Sequence, residues 1–140
     1  MKIRRASFFL ARRPPGQTFA EFGVSAGTFL LLLFGIMQMA MAVNAYNDVS
    51  TAAREAARYA VVHSPTSAVP ETNGTIAGVA VNYAPFLSTA DVTVSFPADS
   101  RIPTQSDALI QITHTYPLNI PFMSSINLQL SSSSRMLVSQ

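Results

Sequence analysis

The sequence predicts an α+β protein in which a long N-terminal transmembrane helix continues outside the membrane and is followed by a small antiparallel β-sheet domain. Three observations carry this prediction. No residue from Phe22 to Asn47 is charged at neutral pH, and no proline lies between Pro15 and Pro65. After Ala90, three segments alternate apolar and polar residues with the period of two expected of half-buried strands. Composition agrees: only 11% of the 140 residues are charged, against roughly 25% in an average soluble domain. With no cysteine, disulfides, thiolate-bound zinc and thiol catalysis are excluded.

We divide the chain into a basic leader at 1–16, a helix at 17–63 and a small extracytoplasmic α+β domain at 64–140. Five of the nine basic residues, Lys2, Arg4, Arg5, Arg12 and Arg13, precede the first acidic residue, Glu21. Without the leader, 4 basic and 7 acidic residues remain, a net charge of −3, so the basicity marks a leader and not a nucleic-acid surface. The run from Phe22 to Val43 has 22 residues, and a hydrocarbon core about 30 Å thick needs roughly 20 helical residues. Basic residues before a span are retained in the cytoplasm, which places the N-terminus inside and the rest of the chain outside. A cleaved signal peptide fits less well, because the apolar run exceeds the 7 to 15 residues typical of a signal core.

From Asn44 to His63 the helical pattern continues with Tyr46, Val49, Ala53, Ala56 and Ala60 on one stripe, while Glu55 and Arg58 are spaced to pair. A helix of this length cannot bury its stripe alone. The alanine face packs either on the chain's own outer domain or on a neighbouring helix, as the small pair Gly23 and Gly27 would within the membrane. Ser64-Pro65 ends the helix, and a short helix is expected over Thr75–Leu87 with Ile76, Val79, Ala80 and Tyr83 on one side. Strands are expected at Asp91–Phe96, Ala108–Tyr116 and Ile126–Leu130. Arg135–Val138 extends the last strand beyond the serine run Ser131–Ser134, itself read as a polar edge or linker.

Catalytic chemistry is sparse. His63 and His114 lie far apart without acidic residues at metal-ligand spacing and read as helix-end and sheet-face residues. Asp91, Asp99 and Asp107 sit beside turns, as backbone caps. Asn73-Gly74-Thr75 fits a glycosylation pattern but reads as a turn. Neither an enzyme nor a cofactor is expected.

Gly16-Gln17-Thr18-Phe19-Ala20-Glu21-Phe22, set between a basic leader and an uncharged helix, resembles the processing site of type IV prepilins. Glutamate followed by an aromatic is similar to the Flp and Tad branch, and Ala52-Ala53-Arg54-Glu55-Ala56-Ala57-Arg58 resembles the corresponding segment of TadE-like minor pseudopilins. The resemblance implies cleavage between Gly16 and Gln17 by a membrane-embedded prepilin peptidase. It also implies that Glu21, beside Phe22, becomes the fifth mature residue and pairs with an N-terminal amine during assembly. Arg54, Glu55 and Arg58 belong to the helix motif of that resemblance, while Gly23, Gly27, Ala53, Ala56 and Ala60 are expected to pack helices by their small size and spacing. The implied partners are the peptidase, other pilins and pseudopilins, an inner-membrane assembly platform and membrane lipid, with no nucleic acid. The implied place is the bacterial inner membrane, single-pass, or an adhesive pilus. Without the resemblance, an uncleaved signal anchor with an envelope-binding outer domain, or a secreted protein, would fit the same layout.

Overall fold

The computed structural model describes residues 15–98, 106–122 and 124–138. The basic leader up to residue 14 and Asp99 lie outside the described residues. The elements are α1 (Pro15–Val62), α2 (Asn73–Tyr83), a short 3-10 turn at Thr89–Asp91, and the strands β1 (Val92–Ser95), β2 (Asp107–Leu118) and β3 (Ile126–Leu137). This is the expected α+β architecture. The strands form one antiparallel sheet in the order β1-β2-β3.

α1 is a single helix of 48 residues, about 70 Å long at ~1.5 Å per residue. It stops just before Ser64-Pro65, where the residue preceding proline disfavours the helical conformation. His63 closes the end: its ring stacks on Tyr59 with centroids 4.0 Å apart, and its Nδ1 lies 3.1 Å from the Tyr59 carbonyl. The same carbonyl accepts the His63 backbone N–H at 3.1 Å, so an imidazole N–H donating there adds a second bond to an oxygen already paired.

α2 begins earlier and ends earlier than the expected Thr75–Leu87. Thr72 is its N-cap, its hydroxyl accepting from the Thr75 N–H at 3.2 Å, so Asn73-Gly74-Thr75 opens a helix instead of forming a free turn. At the other end Pro85 stops it, and the Ala84 N–H makes the last helical bond to the Ala80 carbonyl at 3.1 Å. The buried face is Ile76, Ala77 and Ala80. Of the expected face, Val79 is only half-buried and Tyr83 is exposed, because the helix is rotated to set its small residues against α1.

Of the two readings of the serine run, a polar edge or a linker, the structure has the first: the serines lie in β3, an outer strand of the sheet. Ser131–Ser134 pair with Ile110–Thr113 in an unbroken register from Leu118↔Ile126 to Asp107↔Leu137. Backbone pairing with β2 is indifferent to side-chain polarity, so the ladder runs through the serines. Ser132 and Ser134 share the inward face of Leu130 and are half-buried beside it. Short side chains there allow the sheet to approach an alanine-lined helix closely. β1 covers only Leu109–Ile112 of β2, which explains Pro117 within a strand: past Ile112 one side of β2 has no strand beside it to need an N–H.

The core lies between the second half of α1, α2 and the inner face of the sheet. Ala45, Val49, Ala52, Ala53, Ala56, Ala57 and Ala60 are buried against Ile76, Ala80, Ile110, Ile112 and Leu130, and Ala42 is buried at a cleft beside Leu128 and Leu130. The alternative left open by the sequence is thereby settled within the chain: the alanine stripe packs on its own domain. Tyr46, expected on that stripe, is 48% exposed and lines a cleft beside Leu128 and Leu130.

Candidate functional site

The residues singled out in the sequence fall into two groups on α1. Gly16 and Gln17 stand in its first turn, and the Gln17 side-chain amide donates to a Glu21 carboxylate oxygen at 3.1 Å. That contact spans one helical turn and measures how near Glu21 stands to position 17. Phe22 is exposed, and a Cβ placed at Gly23 or Gly27 would meet no atom within 4 Å. These glycines form a shallow strip flanked by exposed Phe19, Phe22, Phe29 and Leu30, a surface that another helix can approach closely. The helix is long and apolar enough to cross a membrane, and almost none of its most apolar stretch is covered by the rest of the chain.

The second group is closed. Ala53, Ala56 and Ala60 are fully buried. The charged residues interleaved with them face away: Arg54 is exposed and donates through Nε and Nη2 to the carbonyl and hydroxyl of Ser50 at 3.2 and 3.1 Å, and Arg58 lies 3.5 Å from Glu55. Such an exposed pair contributes a few tenths of a kcal/mol, so the motif's charges solubilise the helix while its alanines bind the domain.

Two polar clusters lie in the C-terminal domain. Asp91 Oδ2 accepts from the Ser88 N–H at 2.9 Å and its hydroxyl at 3.1 Å, and His114 Nδ1 lies 3.1 Å away. The Ser88 backbone N–H is the main cause holding the Asp91 carboxyl below its ordinary value, with His114 adding to it and burial partly opposing. A carboxylate can only accept, so His114 carries its proton on Nδ1. Serine, histidine and aspartate meet here, but the hydroxyl donates to the aspartate and not to the imidazole, which is a capping arrangement and not a nucleophile relay. The second cluster pairs Asp107, almost fully buried, with Nε and Nη2 of the half-exposed Arg135 across the β2–β3 ladder.

Asp91 was legible as a cap in the sequence through the Ser88-x-x-Asp91 spacing. Its meeting with His114, and that of Asp107 with Arg135, join residues 23 and 28 positions apart and carry no local signal. Among the described residues no group of three or more histidines and carboxylates is placed to hold a metal.

An apolar helix able to span a membrane, bare over its first half and carrying a small α+β domain on its second, defines the class of the protein as a long-helix α+β protein. The family described as TadE-like protein matches residues 16–58. Over that segment the chain is similar to TadE-like proteins, which suggests an association with Tad pilus systems. No curated protein and no solved structure matches the chain.

Proposed function

We propose that the chain is a minor pseudopilin of a Tad/Flp-type pilus system. It is made as an inner-membrane precursor, cut between Gly16 and Gln17 by a prepilin peptidase, and incorporated into an adhesive pilus or needed for its assembly. One observation carries the reading: the small-residue surface of α1 is consumed by the chain's own domain from Ala42 onward, and is open before it. Helix-to-helix contacts with other pilins, pseudopilins or the assembly platform therefore belong to the first half. There, a carboxylate transferred from the membrane edge into an apolar bundle needs a counter-charge. Cleavage supplies an α-amino group at Gln17, one turn from Glu21.

The chain's role in this reading is structural and not catalytic. The bond to be cut lies in the first turn of α1, which begins at Pro15, so the peptidase must unwind that turn. Its N–H groups lack intrahelical partners and Gly16 is a poor helix former, which makes this the turn that opens with least cost. An intact helical turn at the cut site favours the rival reading, an uncleaved anchor. Intact-mass analysis of protein extracted from membranes containing the peptidase distinguishes the two. Pseudopilin processing gives a chain beginning at Gln17, lost in Gly16→Ala, whereas a chain retaining Met1 overturns it.

A further inference from the structure

The β2–β3 hairpin carries no Asp, Glu, Lys or Arg from Ala108 to Ser134, and its end is apolar: Leu118, Ile120, Pro121, Phe122 and Ile126. Phe122 is 100% exposed and stands at a φ of 64°, a left-handed turn position where glycine or asparagine is at home. Asn119, Ser124 and Ser125 share this end but carry no charge, and a bulky aromatic held outward among them calls for a surface to receive it.

The packing of β3 along α1 locates that surface. Leu128, Gln129 and Leu130 line a cleft with Met39, Ala42, Val43 and Tyr46, whereas Val138 lines one with Val61 and Val62. The eight steps from Leu130 to Val138 cover about 26 Å, and the eighteen steps along the helix from 44 to 62 cover about 27 Å. β3 therefore runs alongside α1 in the same direction. Stepping back from Leu130 to Ile126 moves about 13 Å, or about nine helix residues, to the level of residues 35–37. Leu118 pairs with Ile126 and shares that level, and the turn lies beyond it.

A hydrocarbon core about 30 Å thick that begins at Phe22 ends near Met41. The hairpin end thus overlaps the last turn or more of the span. Drawing the membrane back to residue 35 would leave about 14 residues, or about 21 Å, too short to cross, and Glu21 with the basic leader blocks a shift the other way. We propose that the hairpin end, with Phe122 at its tip, inserts into the outer leaflet beside α1 as a second membrane contact. Tyr46 and Tyr116 stand above it at the level where aromatic residues favour the interface. The domain is then held at a set height and tilt on the bilayer by two points instead of one.

This rests on the reading of α1 as a membrane span, and the test separates the two. The chain has no tryptophan, so single tryptophans report place. Full-length Phe122→Trp, Leu31→Trp within the span and Thr113→Trp on the exposed sheet face are reconstituted in phosphatidylcholine vesicles, with and without bromine near the headgroup end of the acyl chains. Insertion predicts blue-shifted emission and bromine quenching for F122W and L31W, undiminished when protein is diluted in lipid, and neither for T113W. Quenching of L31W with F122W answering only to aqueous iodide overturns the hairpin contact and leaves the span intact. A blue shift in F122W without bromine quenching, lost on dilution in lipid, assigns the tip to a second copy and also overturns it. Failure of L31W to quench overturns the span and the hairpin contact together.

Discussion

The two halves of α1 use small residues to opposite ends. From Ala42 to Ala60 the small side chains are buried, and the helix is sealed into a core with α2 and the sheet. Around Gly23 and Gly27 a side-chain carbon would meet nothing among the described residues. Small residues therefore do not announce a partner by themselves. An alanine stripe in water is driven to bury its apolar area, whereas the same stripe on a helix in lipid would gain only from close packing. The helix is one rod with a satisfied end and an available end.

The sharpest way to break this comparison is to enlarge a residue on each half. Ala56→Leu forces a large side chain into a filled seam, and we expect a loss of about 3 kcal/mol, the upper end of the usual overpacking cost. Chemical unfolding of the full chain in detergent, followed by tyrosine near-UV circular dichroism, reads it. Arg135→Ala follows at about 2 kcal/mol, since it leaves the buried Asp107 carboxylate without its charged donors. The loss should be much smaller in Asp107→Asn/Arg135→Ala than the sum of the single changes.

Asp91→Asn costs about 1 kcal/mol as a weakened cap, and it carries a pH signature. The Asp91 carboxyl is lowered in the fold, so its contribution is fully present above the ordinary value near 3.8 and is lost as pH falls through the lowered value. The acid limb of the stability curve should be shallower in Asp91→Asn than in the parent chain. The smallest effect is expected from Gly27→Leu. It meets no atom of the chain, so domain stability should change by less than about 0.5 kcal/mol. If the open strip receives another helix, cross-linking between subunits in the membrane falls in this variant and not in Arg54→Ala.

Local pattern carried much of the fold. The period of two at Val92, Val94 and Phe96, and again at Ile110 and Ile112, placed the inward face of both strands, because alternation in an antiparallel sheet is a property of consecutive residues. Where the expectation slipped, the deciding contact was distant. Ser131–Ser134 read as a polar edge or a linker because serine has no strand preference of its own, and a partner more than ten residues away decides for the edge by supplying the ladder. Tyr46 read as buried because its spacing fits the stripe, yet the sheet covers α1 from a slightly different side. Within the candidate site, the positions of Gly16, Gln17, Glu21 and Phe22 on one helical turn after another were legible, since they follow from helix geometry alone.

The sequence by itself determined a long uncharged helix with a carboxylate near its start, its end at Ser64-Pro65, and three alternating strands behind it. These depend on charge, proline and period, which act between neighbours. Only the tertiary structure decided that the alanine stripe is closed within the chain, that Asp107 meets Arg135, and that the β2–β3 hairpin runs back along α1 to the level of residues 35–37. Those outcomes depend on which surfaces meet once the chain is compact, and burial of apolar area has no direction along the sequence.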